Sequence, residues 1–300
     1  MYTRILIPLD GSKTAEKVLP YARTLAGRLK IPVELLSVID IAALASQTSA
    51  EKARYLDRLV EDGVRSSETY LKEMGRSFPG LSVKCTVEKG RAEEVIIEKG
   101  ASDAALTAMA THGRSGIDRW LLGSVAEKVL RGATNPLLLV RASEQAKSGG
   151  EAALKSVIVP LDGSALGDSI IPHVVELAKA LQLEILLVRA YQIPVTTYAG
   201  VEDYYAVNYD EIREALRDEG RSYLEKRIEE LKRAGIERVS LAAPEGYAPD
   251  EIISLGRKTP DNLIAMCTHG RSGVTRWVLG SVTETVVRHS GDPVLVIRSK

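Results

Sequence analysis

The segment ILIPLDGS at residues 5–12 returns as VIVPLDGS at 157–164, and that return decides how the chain is read. In each copy a short apolar run ends in Pro-Leu-Asp-Gly-Ser, a turn signature placed directly after a strand. A second segment, THGRSGIDRWLLGSV at 111–125, returns as THGRSGVTRWVLGSV at 268–282, and these two copies hold both tryptophans, Trp120 and Trp277. The chain is one unit written twice. The copies lie slightly further apart at the second motif than at the first, so the second half carries a short insertion. It falls best in the turn-rich and tyrosine-rich stretch 192–210, QIPVTTYAGVEDYYAVNYD. Three hundred residues suit two domains, expected at 1–142 and 156–300. Between them 143–155 is small, polar and glycine-containing, as a flexible linker should be.

Within each half, short apolar runs alternate with amphipathic stretches. RILIPL, PVELLSVI, LSVKCTV, AALTAMA and PLLLV read as strands in the first half; SVIVPL, EILLVRA, RVSLAA, NLIAMC and PVLVI answer them in the second. Several are apolar on both faces, as a sheet covered on both sides requires. Helices are predicted over 13–29, 50–74, 92–99 and 124–132, where apolar residues recur at helical spacing. Strict alternation of strand and helix predicts a parallel, doubly wound α/β sheet in each half. Such sheets bind ligands outside the carboxyl ends of their strands, where strand order reverses.

The bulk properties exclude several classes. A formal net charge of zero, with no block of like charge, argues against a nucleic-acid scaffold or a membrane-surface protein. The opening MYTRILIPLDGS is neither a signal peptide nor a spanning helix, so a cytoplasmic location is expected, with no membrane partner. Cys85 and Cys267 lie in different halves inside strand-like runs and show no CxxC spacing; both are expected as reduced thiols. The four histidines form no HExxH or HxH pattern, so no metal site made by protein ligands alone is expected.

Three places in each half lie at strand ends: the PLDGS turn, the end of the second strand, and the glycine-containing loop that closes on Gly123-Ser124 or Gly280-Ser281. Glycines permit positive φ and close backbone approach, and a helix start with open N–H groups beside a serine hydroxyl suits a phosphate. Asp10 has the chemistry to accept from a ribose or to help hold Mg2+. A plainer reading stands beside this one: the loop is a tight turn, Ser124 caps its helix, and the tryptophans are packing anchors. His112 and His269 suit a turn-stabilising hydrogen bond as well as a phosphate contact, and Arg114, Arg119, Arg271 and Arg276 divide between phosphate ligand and solvated charge. Two copies, with the loop kept more faithfully than the core, favour function over the plain turn. There is no GxxxxGK followed by Ser or Thr, no GxGxxG after the first strand, and no GxSxG at Ser115 or Ser272, which disfavours Walker, dinucleotide and hydrolase sites.

These motifs resemble the universal stress proteins in their tandem-domain form, over 3–141 and 156–298. The features that carry the resemblance are the PxDGS turn, the G-2x-G-9x-G-S/T loop and the final proline-led strands PLLLVR and PVLVIR. The resemblance implies two α/β/α sandwiches, each with a five-stranded parallel sheet of order 3-2-1-4-5. It also implies an intrachain pseudo-dimer through the fifth strands, with 136–141 beside 293–298. Pairing there would cover two apolar strand edges that otherwise invite aggregation.

One branch of the family binds ATP through the glycine loop. By that resemblance the loop residues are Ala110, Gly113, Gly123 and Ser124 in the first half, and Cys267, Gly270, Gly280 and Ser281 in the second. Pro8, Asp10 and Val38 would line the adenosine side and Val125 would complete the phosphate loop; their counterparts are Pro160, Asp162, Ala190 and Val282. Ala110 and Cys267 stand where the family pattern has glycine, so the halves are expected to differ in affinity, the first being the stronger. The implied function is a nucleotide-responsive stress regulator that binds ATP, with Mg2+ alongside, and acts on an unidentified regulatory protein. At most it is a weak ATPase, since no residue presents itself as a general base. A further homodimer is compatible with this reading. The rivals are a protein-interaction module of the same fold that binds no nucleotide and, last, an adenylyl-transferring enzyme, for which PLDGSKT and PLDGSAL supply no signature.

Overall fold

A computed structural model describes residues 2–41, 56–101, 104–111, 122–141, 150–193, 208–268 and 279–298. The first half runs β1 (Arg4–Pro8), a short 3-10 helix (Ala15–Val18), α1 (Leu19–Leu29), β2 (Val33–Ile39), α2 (Leu56–Gly75), β3 (Val83–Lys89), α3 (Ala92–Gly100), β4 (Ala105–Ala110), α4 (Ser124–Gly132) and β5 (Leu137–Val140). The second half repeats the order: β6 (Ser156–Pro160), α5 (Ala165–Asp168), α6 (Ile171–Leu181), β7 (Glu184–Val188), α7 (Tyr209–Arg233), β8 (Val239–Ala242), α8 (Ala248–Lys258), β9 (Asn262–Cys267), α9 (Ser281–His289) and β10 (Val294–Ile297). The single helix expected over 13–29 is split, and Pro20 explains the split. Proline has no N–H to give to the carbonyl of Glu16, which accepts instead from Leu19, one residue nearer, in 3-10 fashion.

The ten strands form one sheet in the order β3-β2-β1-β4-β5-β10-β9-β6-β7-β8. Within each half every pairing is parallel. Only β5 and β10 meet antiparallel, with Leu138 opposite Leu295 at the centre of the junction. This junction removes both inner edges, leaving β3 and β8 outermost. Both faces of the sheet carry an apolar core that runs through both halves. One face packs under α1, α2, α6 and α7 around Leu25, Leu71, Leu177 and Leu224; the other packs under α3, α4, α8 and α9 around Ile96, Val129, Ile252 and Val286. Burying one such side chain stabilises the fold by roughly 1.5–3 kcal/mol.

The end of the segment read as a flexible linker is pinned rather than loose. Gly150 O accepts from Arg23 Nε at 2.8 Å, Ala152 N donates to Pro20 O at 3.2 Å, and Thr24 Oγ1 donates to Ala152 O at 2.9 Å. Composition marked the segment as polar; α1 supplies its partners. Cys85 and Cys267 both lie in strands as free thiols, as read from the sequence; β3 is an edge strand and leaves Cys85 exposed, whereas Cys267 is buried at the end of β9.

Candidate functional site

The site in each half begins with the Asp-Gly-Ser turn, and all three residues have a local reason. Gly11 and Gly163 stand at φ 81° and 84°, the left-handed region that favours glycine. Asp10 Oδ1 accepts from the backbone N–H of Ser12 at 2.9 Å and from its hydroxyl at 2.6 Å, while Ser12 Oγ accepts from Ala15 N at 3.1 Å. Asp162 and Ser164 repeat the arrangement at 3.0 and 2.7 Å, with Gly167 N donating to Ser164 Oγ at 3.0 Å. One oxygen of each aspartate is thus a fastener of the turn.

Opposite this turn, the strand-4 loop is closed at its neck. Gly123 N donates to Thr111 O at 2.7 Å, and Gly280 N to Thr268 O at the same distance. That bond sets the first turn of α4 beside the carboxyl end of β4. The N-cap is Gly123, at φ −60° and ψ 145°, so Ser124 is the first helical residue and not the cap. Gly280 matches it at φ −61° and ψ 139°. Positive φ is therefore not what glycine provides at these two positions. The first helical backbone bond runs from Glu127 N to Gly123 O, leaving the amides of Ser124, Val125 and Ala126 without an intrahelical acceptor, and Ser124 is exposed. Gly113 and Gly270, together with His112, His269, the loop arginines and both tryptophans, lie outside the described residues.

Between turn and helix start lies a cavity of about 220 Å³, in the crevice between β1 and β4 where strand order reverses. Pro8, Asp10, Val38, Ala110, Gly123, Ser124 and Val125 all line it. The counterpart in the second half, about 290 Å³, is lined by Pro160, Asp162, Ala190, Cys267, Gly280, Ser281 and Val282. Every described residue singled out from the sequence is brought to one of the two cavities. Sequence reading passed over the apolar walls: Leu36, Ala92, Ile96 and Met109 in the first, Val188, Ala248, Ile252 and Met266 in the second. Their signal was present in the spacing. Leu36 shares a strand face with Val38, and Ala92 and Ile96 stand one helical turn apart.

The cavities differ at five matched wall positions: Leu36 against Val188, Val38 against Ala190, Ala15 against Gly167, Ala110 against Cys267, and Ala126 against Thr283. The thiol of Cys267 is turned into the wall, with Sγ 3.2 Å from Ser169 Oγ and 3.5 Å from Gly167 O. Thr283 Oγ1 donates to the Cys267 carbonyl at 2.7 Å, fixing the start of α9 to the end of β9. The surrounding charge differs too. In the first half buried Glu16 pairs with exposed Lys13 at 2.9 Å and accepts from the Tyr70 hydroxyl at 3.4 Å. Burial first, then the charges of Glu16 and Asp10, push the Tyr70 phenol upward. In the second half Asp168 takes both Arg227, at 2.7 Å, and the Tyr223 hydroxyl, while Arg189 and Arg227 flank the Tyr223 ring at 5.1 and 5.3 Å from its centre. Burial, then the hydrogen bond to Asp168, raises Tyr223 to about 12.

Among the described residues no cluster of three or more His, Cys, Asp or Glu is built to hold a metal, and no helix is long and apolar enough to cross a membrane. Fold and cavities together define a duplicated, doubly wound α/β protein with one strand-end cavity in each half. The universal stress protein family model matches residues 1–141 and again 153–298, so the chain belongs to that family, with the domain present in tandem. A universal stress protein of Methanocaldococcus jannaschii is 30% identical over 149 residues, 50% of this chain and 85% of that protein. One of Mycolicibacterium smegmatis is 23% identical over 299 residues, 99% of this chain and 97% of its own length. The crystal structure of a universal stress protein from Archaeoglobus fulgidus superposes with a TM-score of 0.68 at 20% identity, covering 99% of both chains, which shows the shared fold.

Proposed function

We propose that the chain is a nucleotide-responsive regulator whose two domains, 1–142 and 156–300, each bind ATP, working in the cytoplasm on a protein partner. One observation carries the reading. An apolar cavity at the carboxyl ends of parallel strands opens onto a helix start whose first three amides lack intrahelical acceptors, and the chain builds this arrangement twice. The apolar wall around Val38 and Ile96 suits a base, and the amides of residues 124–126 with the Ser124 hydroxyl suit phosphate oxygens. Asp10 and Asp162 are the only carboxylates lining the two cavities among the described residues, and each already spends one oxygen on its serine. A single carboxylate fits Mg2+ only when the cation arrives with phosphates that supply its other ligands. The same scarcity leaves no evident general base, so tight binding with slow hydrolysis is the expected behaviour.

The test has two arms. Protein purified without added nucleotide is denatured and its supernatant assayed for adenine nucleotide, and ATP with Mg2+ is titrated calorimetrically into wild type and into Gly123→Val/Ser124→Ala. Release or uptake of nucleotide, with loss of the first-half site in the variant, is expected. Absence of both release and uptake would overturn the reading.

A further inference from the structure

The helices α4 and α9 lie side by side where the halves meet, and each begins at one of the two cavities. Leu122 and Leu279, the buried residues just before the two N-cap glycines, line one small crevice together with Leu130 and Val287. Over this apolar seam sits a ring of four charges, two from each half. Arg131 Nη2 reaches Glu127 and Glu284 at 3.3 Å each, and Arg288 Nη2 reaches Glu284 at 2.9 Å and Glu127 at 3.2 Å. At the far ends of the helices the halves exchange arginines. Arg298 donates to the carbonyls of Ala133 and Arg131, at 3.0 and 3.2 Å, closing the carboxyl end of α4; Arg141 donates to Ser290 O and Arg288 O, at 3.2 and 3.4 Å, closing α9.

We propose that the two cavities are energetically coupled through α4 and α9, so that a ligand in one half strengthens binding in the other. The ligand part of this proposal rests on the nucleotide reading; the coupling of the two helices does not. Ala126 and Thr283 line the cavities, and the next residue along each helix, Glu127 or Glu284, belongs to the ring. A nine-residue helix is only about 14 Å long and does not bend easily, so fixing its first turn fixes the ring and its far end. Each helix would then carry an anion at its amino end and, at its carboxyl end, the other half's arginine, the polarity that a helix dipole favours at both ends. Isolated exposed ion pairs contribute little, but these four share partners and stand on a buried seam. Once a ligand orders one helix, its neighbour has less conformational freedom left to lose on binding. Arg141 and Arg298 are positioning residues, each holding the other half's helix.

Hydrogen exchange of the ligand-free full chain tests the mechanical part. Arg298→Met is expected to speed exchange of the amides of 127–132 in α4 and also of 284–289 in α9, and Arg141→Met to do the reverse. Acceleration confined to the directly contacted helix in both variants overturns the coupling, whether or not nucleotide binds. Calorimetry with ATP and Mg2+ tests the functional part. Wild type is expected to give a positively cooperative isotherm, with second-site affinity raised about fivefold. Arg288→Met is expected to give two independent sites, and Arg288→Lys to restore most of the cooperativity. An Arg288→Met isotherm equal to that of wild type would also overturn it. Failure of every form to take up ATP would instead overturn the nucleotide reading, leaving the exchange result to decide the coupling.

Discussion

The two cavities share a frame and differ in their walls. In the first half Ala15 and Ala110 stand at the wall positions that Gly167 and Cys267 take in the second, and the glycine leaves its carbonyl within 3.5 Å of the cysteine sulfur. The second turn is also drawn closer, since a Cβ on Gly167 would lie 2.6 Å from Asp162 Oδ1. Duplication preserved the backbone elements that present amides and a carboxylate, while packing around them drifted by compensating exchanges. The comparison teaches that a departure from a motif is judged by where the side chain goes. Cys267 stands where the family pattern has glycine, yet its sulfur is turned into the wall.

The largest effect that breaks the comparison is loss of one site at a time. Gly123→Val/Ser124→Ala should remove ATP binding from the first half, and Gly280→Val/Ser281→Ala from the second, each weakening its own site by about a hundredfold or more, as expected when donors to a phosphate are displaced. Calorimetric stoichiometry should fall by half in each, and an unchanged stoichiometry in either would remove that cavity from consideration. Next in size, Gly167→Ala forces a Cβ against the Asp162 carboxylate and should cost roughly 1–3 kcal/mol in urea unfolding. The matched Ala15→Gly, which relieves no clash, should cost about 1 kcal/mol or less.

A smaller change sharpens the difference in volume. Ala190→Val should narrow the second cavity and improve its affinity for ATP, while Val38→Ala should weaken the first, each by about tenfold, the low end for a small apolar group gained or lost in an apolar pocket. An exchange of both residues that left the ranking of the two halves untouched would show that the wall does not set it. The smallest effect is a pH dependence. Tyr223 is raised from 10.0 to about 12 in the fold, so its neutral form contributes stability that is fully present below pH 10 and is lost as pH climbs through 12. Tyr223→Phe should flatten that alkaline decline, and ultraviolet titration of tyrosinate absorbance should show one phenol fewer ionising late.

Much of the fold was legible because its signals are local. The apolar runs at 4–9 and 156–161 end at Asp-Gly-Ser turns whose hydrogen bonds span two or three residues, and the observed strands fall where those runs do. The lining of the candidate site was legible for the same reason: the residues presenting amides, a hydroxyl and a carboxylate to each cavity sit in short contiguous motifs. The apolar walls were less so, since Leu36, Ile96 and Met109 read as ordinary core residues until three separate elements converge on one crevice. The break in the 13–29 helix was visible as Pro20, but its form depended on Glu16 finding Leu19 as a donor.

By itself the sequence determined the duplication, the order of strands and helices along the chain, and the turn and helix start that face each other in each half. These follow from periodicity and turn chemistry acting within a few residues. Only the tertiary structure decided that Cys267 points into a wall, that Gly150 and Ala152 lie along α1, and that Arg141 and Arg298 each close a helix belonging to the other half. Those contacts join residues more than ninety positions apart: the Cys267 contact follows from β9 lying beside β6, and those between the halves from the antiparallel meeting of β5 and β10, rather than from any spacing along the chain.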